Sequence, residues 1–372
     1  MDVDWFNLSI LILFSLTALI QIIYYLFIFS RFIFYKTIIK TNDQKPVSIV
    51  ICAKNEAENL EKYLPLILEQ KYSKYEVVVV NDCSEDETEE VLKLISRKYE
   101  HLRYTVIKKD EKFSHGKKLA LTVGIKSANY ECLLLTDADC YPQSDQWLGS
   151  MAKHFSDKKS IILGYGGYIH RNTLLNKLIR FDSAMIALQF FSFALIGKPY
   201  MGVGRNLAYR KSIFFSNKGF ASHVGLDSGD DDLFINEVAN AQNIDIEPSL
   251  DAHTRSEAKK TFRNWADQKR RHFSTFTMYK QNDKIILGGE VISRVLFYFA
   301  FICLLLLKVY WIIAVCIFLG RIICQMIIFK KSFRRLNERN LFLISPLFDL
   351  VLPFINLGIY LSNIIRPKRI WR

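Results

Sequence analysis

The sequence predicts an α/β protein in which a mostly parallel, doubly wound sheet domain over residues 41–288 is framed by membrane segments within residues 1–40 and 289–372. Three observations predict it. Short runs rich in Val, Ile and Leu alternate with helical stretches between residues 47 and 139. Each of those runs ends on polar or acidic residues, and long apolar runs followed by Lys and Arg lie on either side.

Half of the 372 residues are hydrophobic, and 50 Lys and Arg against 37 Asp and Glu give a formal charge of +13. A chain this long and apolar has material for a sizeable core and falls outside the disordered class. The positive charge gathers beside apolar segments: Arg31, Lys36 and Lys40, then Lys330, Lys331, Arg334 and Arg335, then Arg366, Lys368, Arg369 and Arg372. No basic-aromatic nucleic-acid motif accompanies it, so the expected partners are membrane lipids and phosphate-bearing ligands, with no nucleic acid. Seven cysteines, odd in number and without a C-x-x-C pair, suit a reducing compartment and read as buried small hydrophobes.

The first element is an apolar run over residues 8–29, which as a helix at ~1.5 Å per residue reaches about 33 Å and crosses a bilayer once. Asp2 and Asp4 before it, its length and the lack of a small-residue cleavage site favour a retained anchor over a cleaved signal peptide. The basic residues after it put that side in the cytoplasm and the N-terminus outside. The expectation is a multi-pass protein of the cell (inner) membrane with a cytoplasmic catalytic domain.

After a polar linker with Asn42, Asp43 and Gln44, residues 47–53, 75–82, 103–109 and 132–139 read as strands, and residues 57–68, 85–97 and 115–127 as the helices between them. Ligands of such a sheet sit beyond the carboxyl ends of the strands. Residues 291–307 and 309–329, separated by Lys308, read as two closely joined crossings, and the basic KKSFRR after them returns the chain to the cytoplasm. A last segment, residues 341–365, is interrupted by Pro346, Asp349 and Pro353 and followed by a basic tail. With both flanks cytoplasmic it would be re-entrant or interfacial; a third crossing stays open.

Ala53-Lys54-Asn55-Glu56-Ala57 ends the first strand and Asn81-Asp82-Cys83-Ser84 the second. A carboxylate there can accept hydrogen bonds from a nucleoside's base or ribose, and neighbouring helix N-termini favour phosphate. Asn55, Asp82 and Ser84 are equally readable as helix caps. His115-Gly116-Lys117-Lys118 sets a compact cation beside glycine backbone that phosphate can approach, the ordinary alternative being surface lysine. Thr136-Asp137-Ala138-Asp139 ends the fourth strand, and carboxylates at i and i+2 of an extended strand project to one side. Their repulsion calls for a hard divalent cation, Mg²⁺ or Mn²⁺, which also neutralises a departing diphosphate; an acidic turn is the alternative.

Ser228-Gly229-Asp230-Asp231-Asp232-Leu233 opens a further helix, and its macrodipole accounts for only part of three adjacent Asp residues. A carboxylate crowded by others has a raised proton affinity, which suits a general base. Gly202-Val203-Gly204-Arg205-Asn206 reads as a glycine-lined turn able to pass close to substrates, a plain loop being the alternative. Trp265-Ala266-Asp267-Gln268-Lys269-Arg270-Arg271-His272 is a basic helix ahead of the membrane that can bind anionic lipid, clamp a diphosphate through Arg, or do both.

In this order the motifs resemble the family 2 glycosyltransferases of the GT-A fold, especially the membrane-embedded branch with the cellulose, chitin and hyaluronan synthases, over about residues 47–273 and the flanking apolar segments. The resemblance implies Ala53, Asn55, Glu56 and Asp82 around the nucleotide with Lys117 nearby, and Asp137 and Asp139 as the D-x-D pair. It also implies Asp230-Asp231 as the acidic pair whose second member is the base, and Gln268-Lys269-Arg270-Arg271-His272 as the counterpart of the Q-x-x-R-W motif. His272 stands where polymerising members carry Trp, which with the small membrane portion implies transfer of one or a few sugars. The acidic run can also be aligned one position earlier, with Asp230 as base. The expected activity is inverting transfer from a nucleotide diphosphate-sugar to a hydroxyl of a lipid-linked or other saccharide acceptor. Asp231 is the base, Asp139 and Asp137 manage the metal, and Arg271 with Lys117 stabilises the diphosphate. The competing expectations are a processive polysaccharide synthase and a non-catalytic membrane subunit with a degenerate nucleotide-binding fold.

Overall fold

The computed structural model describes residues 5–37, 44–108, 116–226 and 228–365. Lys40, Asn42, Asp43, Lys109, His115 and the basic tail from Arg366 lie outside the described residues.

The N-terminal apolar run forms α1 (Trp5–Ile23), which continues through a π-helical turn, Tyr24–Phe29, into α2 (Ser30–Phe34). The apolar strand runs become β1 (Val47–Ala53), β2 (Tyr75–Asp82) and β4 (Cys132–Asp137), with β3 (Leu102–Ile107) at the edge. Between them lie α3 (Ala57–Leu68), α4 (Thr88–Lys98) and α5 (Lys117–Ser127). β1 is buried along its whole length, as a strand covered on both faces must be, and its run of Val, Ile and Cys reflects that. β3, β2, β1 and β4 are parallel neighbours, with Cys52 beside Asp137 and Ala53 beside Asn81. That register is what brings the polar strand ends to one edge.

The later strands escaped the sequence reading because each is only three or four residues long. β5 (Cys140–Pro142), β6 (Ile161–Gly164), β7 (Gly166–Tyr168), β8 (Leu207–Arg210), β9 (Ile244–Glu247) and β10 (Thr254–Ser256) complete the architecture. The main sheet has seven strands in the order β3-β2-β1-β4-β8-β6-β9, with β8 antiparallel to both neighbours, and a small sheet runs β5-β10-β7. The sheet is therefore mixed but mostly parallel, as the strand-helix alternation in the sequence predicts.

Alternate side chains divide the core. Ile49, Ile51, Val77 and Val79 face α3 and α6 (Trp147–Ala152). Val50, Val80, Leu133 and Leu135 face α5 and the buried helix α7 (Leu174–Leu195). Gly124 sits where α5 meets the sheet, and a Cβ there would come 2.6 Å from Val50 Cγ1, so this helix packs closer than alanine would permit. α8 (Lys211–Ser216), α9 (Asp232–Val238) and α10 (Phe262–Phe276) precede the C-terminal helices α11 (Gln281–Leu306), α12 (Trp311–Arg335) and α13 (Ser345–Ile365).

Among the described residues, five helices are long and apolar enough to cross a membrane: Trp5–Phe34, α7, α11, α12 and the stretch of α13 to Ser362. α7 is enclosed by protein, with Phe191 stacked on Phe32 of α2 and Phe181 packed against Phe329, Phe333 and Phe348. It joins the sheet's core to the apolar helices. α13 is unbroken: Pro346 lies in the first turn, where its missing N–H costs nothing, and Pro353 is carried inside the helix. Asp349 turns inward, accepting from Arg294 Nη1 at 3.0 Å, Arg321 Nη2 at 3.1 Å and Tyr298 Oη at 2.8 Å. A charge that looked like an interruption is thus a paired interior group, as ionisable residues in apolar bundles tend to be. All seven cysteines are free; Cys52, Cys132 and Cys140 are buried, whereas Cys316 is exposed on α12.

Candidate active site

The loops after β1 and β2 are stitched together. Asn55 and Cys83 both adopt left-handed backbone, each with φ of 56°. The Asn55 amide donates to Ser84 Oγ at 2.9 Å, the Glu85 amide to Asn55 Oδ1 at 2.8 Å, and the Glu56 amide to Thr88 Oγ1 at 3.0 Å. Asn55 therefore caps the neighbouring loop and not its own helix, whose N-cap is Glu56. Asp82 is no cap either, since α4 begins at Thr88. It is fully buried; Oδ1 accepts from Cys83 Sγ, and Oδ2 has no hydrogen-bond partner among the described residues. An orphaned carboxylate oxygen of this kind costs free energy unless a ligand donor meets it. Ala53 is buried at the end of β1 beneath these loops.

Lys117, the first residue of α5, places Nζ 2.9 Å from Asp137 Oδ1 and 3.0 Å from Asp230 Oδ2. It ties the fourth strand to the loop before α9. Burial works against the charge of Asp137, but the Lys117 ammonium outweighs it and holds the carboxyl below its ordinary value. Asp139 moves the other way, pushed up by burial and by Asp137. Glu56, also raised by burial, feels both aspartates.

Ligand atoms of Asp137, Asp139 and Cys140 lie within 4.8 Å of one another. Burial pushes the Cys140 thiol well up, and it donates to Asp139 Oδ1 at 3.4 Å, so the thiol stays protonated and the donors left for a cation are carboxylate oxygens. Oxygen donors from two neighbouring carboxyl groups fit a hard divalent ion such as Mg²⁺ or Mn²⁺.

The three aspartates before α9 have distinct surroundings. Asp230 is buried and paired with Lys117. Asp232 is buried and accepts from Thr275 and Tyr279, which fastens α9 to the segment around α10. Asp231 accepts two backbone amides, Gly204 to Oδ2 at 2.7 Å and Asp232 to Oδ1 at 2.7 Å. Burial, then the charges of Asp230 and Asp232, raise it to about 7. Gly204 sits against both groups: a Cβ there would stand in ordinary contact, 3.4 Å from Asp231 Oδ2 and 3.5 Å from Lys117 Nζ.

Arg205 lies with its guanidinium 4.2 Å from the Tyr168 ring, and its carbonyl accepts from Thr136 Oγ1 at 3.0 Å and Thr254 Oγ1 at 2.9 Å. Its charge reaches both Asp137 and Asp139. On α10, Gln268 donates to Tyr168 Oη at 3.4 Å. His272, one helical turn on, is exposed and lies near Asp137. The protein around the imidazole, then Lys269, Arg271, Arg205 and Lys117, hold it below its ordinary value. Arg271 is half-buried beside it. Arg270 does not share that face: it pairs with Asp267 at 2.6 Å and donates to Ser362 Oγ at 3.0 Å, toward α13. Helical geometry explains the departure, because residues two positions apart point to different sides. Lys269 is also turned away, both oxygens of Asp182 accepting from its Nζ at 2.9 Å.

Two contributors gave no sequence signal. Tyr168 carries Arg205 from a three-residue strand, and Lys259, whose charge reaches Glu56 and Asp139, looks like any exposed lysine.

Residues 48–215 match the model of the glycosyl transferase family 2 domain. Over 104 residues the chain is 38% identical to glycosyltransferase AglE of Haloferax volcanii, covering 27% of this chain and 33% of that one. Over 166 residues it is 27% identical to a poly-beta-1,6-N-acetyl-D-glucosamine synthase of Staphylococcus aureus, covering 43% and 39% respectively. The chain thus spans between a third and two fifths of the length of these relatives. Among solved structures, the mannosyltransferase PcManGT of Pyrobaculum calidifontis, in complex with GDP-Man and Mn²⁺, superposes with a TM-score of 0.64 at 16% identity over 97% of this chain and 99% of that one, which establishes a shared fold. Fold and family match agree: residues 48–215 match a family 2 glycosyl transferase domain, set in a mostly parallel mixed sheet that is joined at both ends to long apolar helices.

Proposed function

We propose that the protein is an inverting glycosyltransferase that moves a sugar from a nucleoside diphosphate-sugar to a hydroxyl of a membrane-associated saccharide acceptor, on the cytoplasmic face of the membrane. The observation that carries the reading is the pairing of opposites around Gly204: a carboxyl raised to about 7 at Asp231 beside the Lys117 ammonium and the Asp137-Asp139 pair. A group of that proton affinity is about half ionised at neutral pH, so its charged form is available there to take a proton.

In this mechanism Asp82, with its unpartnered oxygen, and the Asn55-Glu56 loop receive the nucleoside. The Gly204 and Asp232 amides fix the orientation of Asp231, which removes the proton of the acceptor hydroxyl as its oxygen bonds to the anomeric carbon. The bond to the diphosphate breaks on the opposite side, which inverts the anomeric centre. Lys117, with Arg271 and Arg205 nearby, offsets the charge that the leaving diphosphate gains. A divalent cation at Asp137 and Asp139 would supply further neutralisation of that charge. GDP-Man and Mn²⁺ in the mannosyltransferase of the same fold are a donor and a cation of the classes proposed for this chain.

The test is a screen of GDP- and UDP-sugars with the full chain in lipid, with Mn²⁺, Mg²⁺ or EDTA. Cation-dependent release of nucleoside diphosphate with sugar appearing on a lipid-extracted acceptor is expected. Failure of every donor to bind, with or without cation, would instead favour a non-catalytic subunit.

A further inference from the structure

A cavity of about 420 Å³ adjoins the candidate active site, lined by residues that include Tyr141, Tyr168, His170, Arg180, Arg255 and Arg339. Tyr141 stands two residues after Asp139, and Tyr168 is the ring that carries Arg205, so the two spaces share a wall. The opposite wall is the turn between α12 and α13, residues 336–344, which follows the basic end of α12. Basic residues ending an apolar helix mark the membrane boundary, which puts the cavity at that level.

Its charge is unbalanced. Three guanidiniums line it, and two of them share one carboxylate, Glu338, which is buried and accepts from Arg180 Nε at 2.7 Å, from Tyr165 Oη at 2.9 Å and from Arg255 Nη1. Among the described residues, no Asp or Glu lines the cavity itself. Arg180 is 1% exposed, yet its Nη1 has no hydrogen-bond partner among the described residues. An unmatched guanidinium edge among further cations is poorly stabilised unless an anion joins it, and Arg presents a donor fork suited to phosphate. The volume suits a headgroup-sized ligand.

We propose that this cavity binds the phosphate group of a phosphorylated ligand, with Arg180 and Arg339 as its donors, and that the ligand is a lipid-borne phosphate whose saccharide end reaches the cleft at Asp231. The assignment of a saccharide end rests on the transferase reading above; the anion site itself does not.

Isothermal titration of the full chain in a non-ionic detergent with hexyl phosphate, inorganic phosphate and 1-hexanol tests it. Hexyl phosphate should bind saturably and hexanol should not. Arg339→Gln, in an exposed turn, and Arg180→Lys should each weaken hexyl phosphate by about tenfold while nucleotide-sugar affinity stays unchanged. Tighter binding of hexyl phosphate than of inorganic phosphate supports a lipid source, and equal binding a soluble phosphate in the same pocket. Absence of saturable phosphate binding, unchanged affinity in both variants, or a parallel loss of nucleotide-sugar affinity would overturn the proposal. Because this binding needs no turnover, it can fail while sugar transfer holds, and the reverse.

Discussion

The Gly204 amide donates to Asp231 Oδ2 at 2.7 Å, joining the turn before β8 to the acidic loop before α9. Two segments 27 residues apart thus fix one carboxyl, and the burial that comes with the contact sets its proton affinity. Structure and chemistry are coupled at that bond.

Activity should follow the ionisation of Asp231. Its carboxyl must be charged to accept a proton, so kcat/KM should rise with pH and reach half its plateau at about 7. A pH profile over the acid limb checks this. A midpoint in the ordinary carboxylate range would remove Asp231 from the role of base.

Asp139→Asn and Cys140→Ser should separate the ligand atoms near the D-x-D pair. Losing the Asp139 carboxylate should raise the Mn²⁺ concentration needed for half-maximal donor binding by at least about tenfold. Cys140→Ser should change it little, because burial keeps that thiol protonated. Cation titrations of donor binding give both numbers, and equal effects would contradict the assignment of oxygen ligands.

Asp349 should matter for stability and not for chemistry. Asp349→Leu strands Arg294 and Arg321 without their shared carboxylate, which should cost about 3–5 kcal/mol. Thermal unfolding of the purified chain would show a clear drop. An unchanged midpoint would mean that the helices α11, α12 and α13 do not depend on this network.

Asp231 should trade stability for function. Its folded proton affinity lies above that of the unfolded chain, so the native state binds more protons between about 4 and 7, and stability falls as pH rises through that window. Above it the charged carboxylate is a standing cost, and Asp231→Asn should raise stability by roughly 1–3 kcal/mol at pH 8 while giving no gain at pH 4. Unfolding midpoints at the two pH values check the sign.

The first half of the domain was legible because its strands are long, buried and unambiguous: the predicted bounds of β1, β2 and the helix Ala57–Leu68 match the structure. β8 and the small sheet were not legible, since three or four residues carry no periodicity and their pairing is fixed by tertiary contacts. α7 was missed for a different reason: it is enclosed by the sheet and the apolar helices together, and Lys177, Arg180 and Asp182 interrupt its apolar residues, so no single polar face marks it as a helix. At the site, sequence spacing brought out Asp137, Asp139, Asp231 and Lys117, which the structure does bring together. It could not show that Arg270 faces α13, that Asp230 and not Asp231 is held by Lys117, or that Tyr168 carries Arg205. Those depend on side-chain direction, which composition does not encode.

The most direct test of the central claim is Asp231→Asn in the full chain, with donor binding and sugar transfer measured on the same preparation. The account predicts nucleotide-sugar affinity within about threefold of the native protein and transfer reduced by at least about a hundredfold, the scale of general base catalysis. Transfer at the native rate, with donor binding intact, would contradict it.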